Sequence, residues 1–163
     1  MKSARIAKWT LCTVLVAFCG VGVYWWSKPR WKRVTVFPGE KAVIGQYDFI
    51  NAPSQIHVKV SPAIELQLLP DGTKTFAARN LPPWWDWVPR GPRVEEAHEI
   101  LGEWQVTSEP KGGWNVHFDC TTFDGVKRTY HMNMWLCEEN GDLLILSPVG
   151  DPDNGEYVIF RHH

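Results

Sequence analysis

Acidic side chains are absent from the first 33 residues of this 163-residue chain, and familiar catalytic signatures are absent along all of it. There is no Gly-x-Ser-x-Gly elbow, no phosphate-cradling glycine loop, no zinc-knuckle spacing and no Cys/His pair at triad spacing. No repeat of fixed period runs through the sequence, which sets repeat architectures aside. What is present is apolar: hydrophobic residues make up 44% and aromatics 13%, with ten Trp, which excludes disorder of the whole chain. The net charge of -1 hides an asymmetry. Seven of the 17 Lys and Arg lie in residues 1–33, so from Val34 onward ten basic residues face all 18 acidic ones, a net of -8. A domain that acidic repels phosphate backbones, and nucleic acid is not expected as a partner.

Residues 9–26, WTLCTVLVAFCGVGVYWW, contain no charge. As a helix they would rise roughly 27 Å, close to the hydrocarbon thickness of a bilayer. Trp9 at one end and Tyr24, Trp25 and Trp26 at the other fit aromatic belts at the two interfaces. Lys2, Arg5 and Lys8 make a signal-like start. Gly20-Val21-Gly22 lies inside the apolar run, and Phe18 stands where lipoprotein processing at Cys19 needs a small residue, so an uncleaved signal anchor is expected. The organisation that follows is a basic tail (1–8), a transmembrane anchor (9–26), a juxtamembrane linker (27–33) and a β-barrel-like domain (34–163). The corresponding location is a bacterial inner membrane, crossed once, with the domain on the periplasmic side.

Within the domain, β-favouring runs occur at 34–37, 42–44, 56–60 and 64–69, broken by Pro, Gly and Asn. Three turns carry the clearest information: Pro70-Asp71-Gly72, Phe123-Asp124-Gly125 and Glu139-Asn140-Gly141. Read as three-residue hairpin loops, each fixes a register. Ile64, Leu66 and Leu68 then share a face with Phe76 and Ala78. Trp114, Val116, Phe118 and Cys120 share one with Tyr130, Met132, Met134 and Leu136. Asn115, His117 and Asp119 lie opposite, with Thr129, His131 and Asn133, while Met134 and Leu136 meet Leu144 and Leu146. A last hairpin joins 143–149 to 157–161, and residues 94–101 are the one short helical candidate. The expected fold is mainly β: an N-terminal transmembrane helix, then an antiparallel meander forming a small barrel or strongly curved sheet, with one short helix.

In this register Cys120 and Cys137 sit on opposite faces roughly 30 Å apart, far beyond the ~7 Å that a disulfide spans, so two free thiols are expected. Trp84, Trp85 and Trp87, in a Pro-rich loop, can grip a ligand or fold over one end of the barrel as a buried lid. With Met132 and Met134 inside, they form the candidate ligand-binding set for an apolar small molecule. His117 and His131 face each other with Asp119 nearby, a set that can hold zinc or copper. The plainer reading, a solvent-facing strand surface, is preferred, so no metal or other cofactor is expected. Asp151, Asp153 and Asn154 before Gly155 lack calcium-loop spacing and read as a turn.

Leu66–Leu68 followed by Asp71-Gly72-Thr73, Phe76 and Asn80-Leu81-Pro82, then Gly102-Glu103-Trp104, Trp114-x-Val116-x-Phe118, and Gly150-Asp151-Pro152-Asp153 with Phe160-x-His162, form a pattern. Over residues 64–163 it resembles small membrane-anchored bacterial proteins with a lipocalin-like β-barrel domain. The resemblance implies a fold and no activity. The leading expectation is a membrane-tethered, non-enzymatic binding domain for a protein or an apolar small molecule. Its alternatives are an immunity or inhibitor protein neutralising a secreted hydrolase or toxin, and a small metal-dependent enzyme built on His117, Asp119 and His131.

Overall fold

Side chains of alternating polarity on consecutive hairpins can bury one face only by curling the sheet onto itself. The computed structural model describes residues 30–53, 56, 58, 60–81, 97–110, 112–149, 153 and 155–163. Its elements are β1 (Lys32–Arg33), a helix α1 (Glu40–Val43), β2 (Gly45–Asn51), β3 (Ala63–Leu68), β4 (Lys74–Leu81), β5 (Ala97–Ser108), β6 (Trp114–Phe123), β7 (Val126–Glu139), β8 (Asp142–Pro148) and β9 (Tyr157–His162). From β2 to β9 each strand pairs antiparallel with the next, and β9 returns to β2, closing an eight-stranded up-and-down barrel. The short β1 runs on from β6 along the same edge of β7, with Arg33 opposite Cys137.

Eight strands enclose an interior just wide enough for side chains to fill. Tyr47, Ile64, Phe118, Met134, Leu136 and Phe160 are fully buried there. Phe76 and Phe118 meet edge to face at 4.9 Å. The polar tips that come with this core are satisfied: the Trp104 indole donates to the Gln67 carbonyl at 3.0 Å, and the Tyr47 hydroxyl donates to the Val43 carbonyl at 2.8 Å. A second apolar cluster lies outside the barrel. Cys137, Leu144 and Leu146 are buried there, packed with Trp31, Trp135, Tyr157 and Ile159.

The structure corrects the expected N-terminal architecture. Among the described residues no helix is long and apolar enough to cross a membrane. Residues 9–26, on which the signal anchor, the membrane partner and the single-pass inner-membrane location rested, lie outside the described residues; of the likeness drawn over residues 64–163, the lipocalin-like barrel stands and the membrane anchor does not. What stands of the fold expectation is the closed, mainly β barrel with one short helix.

Over 97–101, the described part of the 94–101 candidate, there is no helix. These residues open β5, paired with β4 along one edge and, at Ile100 and Leu101, with β6 along the other, and the ladders outweigh the helix propensity of a Glu- and Ala-rich stretch. The helix is instead Glu40–Val43, so residues 42 and 43 are helical rather than strand. The run 34–37 forms no strand, and neither do Ile56, Val58 and Val60. Strand β2, GQYDFIN, is hidden by turn-forming residues, yet Tyr47 and Phe49 alternate onto the core.

Two registers also move. The pairing around Asp71 is as expected, with Leu66 opposite Phe76 and Ile64 opposite Ala78. Around Asp124 the loop has two residues: Phe123 pairs Val126, and Asp124 and Gly125 take φ of 47° and 76°, as a type I′ turn requires. A break in the ladder between Cys120 and Thr122 puts one extra residue on β7, and so returns Phe118 and Met132 to a common face. At Asn140 a similar two-residue turn has no such compensation. Leu136 pairs Ile145, while Leu144 and Leu146 pair Cys137 and Trp135 outside the barrel. Cys120 faces the interior and Cys137 the exterior, and both are free thiols, as expected.

Candidate metal centre

Strand periodicity sends Asn115, His117 and Asp119 of β6 to the outside, because Val116, Phe118 and Cys120 between them are buried in the core. The same rule sends His131, Asn133 and Trp135 of β7 outward, between Met132, Met134 and Leu136. The β6–β7 register then builds three outer rungs: Asn115 opposite Trp135, His117 opposite Asn133, and Asp119 opposite His131. The two histidines are diagonal rather than directly opposite, with the carboxylate reaching both.

His117 Nε2 lies 3.0 Å from Asp119 Oδ1, and His131 Nδ1 lies 2.5 Å from the same oxygen. The rings are nearly parallel, 15° apart with centroids at 5.9 Å. One donor atom from each of the three residues falls within 4.8 Å of the others. Exposure rises along the set, from 21% for His117 through 38% for Asp119 to 64% for His131, so one side chain is largely enclosed and one faces open water.

Hydrogen-bond bookkeeping at His117 is informative. Its Nδ1 is 2.8 Å from Asn133 Oδ1 and its Nε2 faces Asp119 Oδ1, so both ring nitrogens point at acceptors. A neutral imidazole has one N–H. In its neutral form the ring can donate to only one of the two. The Asp119 carboxyl is held below the ordinary carboxylate range, first by its hydrogen bond with His131 and then by that with His117.

These donors fit a first-row divalent ion. Tetrahedral zinc bonds of ~2.0–2.1 Å separate neighbouring ligand atoms by about 3.3 Å. Reaching that spacing means widening the 2.5 and 3.0 Å contacts to Asp119 Oδ1 and bringing the two ring nitrogens in from within 4.8 Å, shifts of up to about 1.5 Å that the exposed His131 can make. Asn133 already plays the orienting part that ligating histidines need, accepting the Nδ1 proton and leaving Nε2 for the ion. The arrangement corrects the expectation that no catalytic constellation exists, since a cluster able to chelate a metal is present.

Support comes from either side. Below the site Arg33 Nη2 donates to Asn115 Oδ1 at 2.9 Å and pairs with Glu109 at 3.2 Å, and its guanidinium lies 4.6 Å over the Trp135 ring. Beside it, a Cβ on Gly102 would stand 2.1 Å from the Asp119 carbonyl oxygen and 2.8 Å from the Phe76 ring. Glycine alone lets β5 run that close to the Asp119 backbone.

Met132 and Met134 point into the barrel and belong to its main core, Met134 fully buried. Trp84, Trp85 and Trp87 lie outside the described residues. Sequence reasoning brought His117, Asp119 and His131 to one face and did not single out Asn133 or Gly102. The available signal for Asn133 was its parity with His131. Comparison with protein-family models, with curated proteins and with solved structures gave no match, so the reading of this site rests on its own geometry.

Proposed function

We propose that this barrel is a small metal-dependent enzyme whose ion sits on the outer face of the β6–β7 hairpin. The observation that carries the reading is the convergence of His117 Nε2, Asp119 Oδ1 and His131 Nδ1, with His117 already oriented by Asn133. This replaces the expectation of a membrane-tethered, non-enzymatic binding domain. An ion held by three protein ligands keeps a position open for water or substrate and acts there as a Lewis acid, which suits hydrolysis. His117 anchors the ion from the better-buried side, Asp119 supplies the negative charge, and exposed His131 completes the set from the solvent side. Histidine nitrogens bind metal only when unprotonated, so metal uptake competes with protons and weakens as pH falls.

Zinc titration of the full chain by calorimetry tests this, alongside hydrolysis of 4-nitrophenyl acetate. One ion per chain is expected, with affinity at least about 100-fold weaker in a His117→Ala/His131→Ala double variant. Hydrolysis above background should follow zinc loading and disappear with chelator. Equal zinc affinity in wild type and double variant would overturn the assignment. Zinc binding without any zinc-dependent hydrolysis would leave a metal site and remove the enzyme.

A further inference from the structure

The outer face beside Asp119 is concave. A groove of about 360 Å³ opens across β3, β4, β5 and β6, lined by Gln67, Thr75, Ala77, Leu101, Glu103 and Thr121. Its origin is local. Thr121 is an extra residue on β6, where Leu101 pairs Thr122 but Gly102 pairs Cys120. The Thr121 hydroxyl turns back to donate to the Leu101 carbonyl at 3.2 Å. Glu103 is the residue that joins groove to metal centre: it lines the groove and pairs directly across the ladder with Asp119.

The charges around the groove are one-sided. Glu65 of β3, Arg79 of β4 and Glu99 and Glu103 of β5 share this outer surface, with Asp119 beyond them. Arg79, the cation among them, lies between Glu65 and Glu99, at 3.9 Å from each. Gln67 donates to Glu65 at 2.7 Å. Among the described residues Glu103 has no recorded ion pair. A small groove that combines a free carboxylate, two threonine hydroxyls and the apolar surface of Leu101 and Ala77 matches an alkyl chain ending in a cation.

We propose that this groove is the substrate subsite of the metal centre and takes a cationic side chain, a primary ammonium on an alkyl stem, with Glu103 as the residue that selects it. The substrate role rests on the metal-dependent reading above; the binding site itself does not. The stem lies on Leu101 and Ala77, and the ammonium donates to Glu103, the ladder partner of Asp119.

The test is an amide-resolved NMR titration of the full chain with Nα-acetyl-lysine methylamide, and with the uncharged Nα-acetyl-norleucine methylamide as its control. Thr75, Ala77, Leu101 and Thr121 should shift with the lysine probe, which should bind about tenfold more tightly than the norleucine probe. Glu103→Gln should remove that preference and leave norleucine binding unchanged, while zinc affinity stays at the wild-type value. Absence of shifts in the groove, equal binding of the two probes, or an unaltered preference in Glu103→Gln would overturn the proposal. Repeating the titration with zinc separates the two readings: groove shifts without any zinc response at His117 and His131 would sink the metal centre and the substrate role together while the cation site stands, whereas a zinc response without groove shifts would sink the subsite alone.

Discussion

Over its first half β7 presents His131 and Asn133 to solvent, beside His117 and Asp119 of β6; over its second half it presents Trp135 and Cys137, packed with Trp31 and beside Leu144 and Leu146 of β8. Both surfaces lie outside the same barrel and on the same strand. One is polar, open and hydrogen-bonded, so its residues are free to hold something. The other is an accessory core, whose residues are consumed in stability. Arg33 stands at the border, stacked on Trp135 and bonded to Asn115. Outward position on a strand is thus no guide to role; the neighbours across the rungs decide.

Substitutions can break this contrast, beginning with the accessory core. Leu146→Ala should cost about 2–5 kcal/mol in urea denaturation, the range for a fully buried leucine, although its side chain lies outside the barrel. A loss below about 0.5 kcal/mol would show that this cluster is surface in all but geometry. Gly102→Ala should cost about 1–3 kcal/mol, since its Cβ meets Asp119 backbone rather than a flexible side-chain end, and it should weaken zinc binding by displacing Asp119. His117→Ala/His131→Ala should instead leave stability within about 0.5 kcal/mol while removing zinc affinity, the signature of a site that is not part of a core.

Chemistry and pH sharpen the comparison with smaller effects. Burial pushes both the Cys120 and the Cys137 thiols up to about 12. In a Cys12→Ser/Cys19→Ser background the native chain should therefore be unreactive toward a disulfide reagent at pH 8, with two thiols appearing in urea. Rapid native labelling of Cys137 would mean that the outer cluster opens. The Asp119 carboxyl is depressed in the folded chain, so its contribution to stability is fully present above the ordinary carboxylate range. That contribution fades as pH falls through the lowered native value. Wild type and Asp119→Asn should differ in urea midpoint at pH 7 and converge in strong acid; a constant difference would place the effect elsewhere.

How much of this was legible in the sequence varies with the alternation of each strand. β6 and β7 alternate cleanly, so the outward grouping of His117, Asp119 and His131 was readable even with a loop length wrong by one, because the ladder irregularity near Thr121 restored the face. In β8 the run Leu143-Leu144-Ile145-Leu146 is apolar at every position, so a one-residue slip cost nothing in pattern and inverted the faces. β2 was missed because Gly45, Asp48 and Asn51 carry turn chemistry and one of its pairing partners, β9, lies far along the chain. The geometry joining His117 to Asn133, and the close approach at Gly102, arise from register and backbone proximity, which residue types alone do not encode.

The central claim is that His117 Nε2, Asp119 Oδ1 and His131 Nδ1 together hold one ion. Long-range proton–nitrogen NMR of the histidine side chains, with and without one equivalent of zinc, tests it most directly. The account predicts metal-induced shifts at His117 Nε2 and His131 Nδ1, with the proton retained on His117 Nδ1 and donated to Asn133 Oδ1. Unchanged nitrogens at both residues, or shifts confined to other histidines, would contradict it.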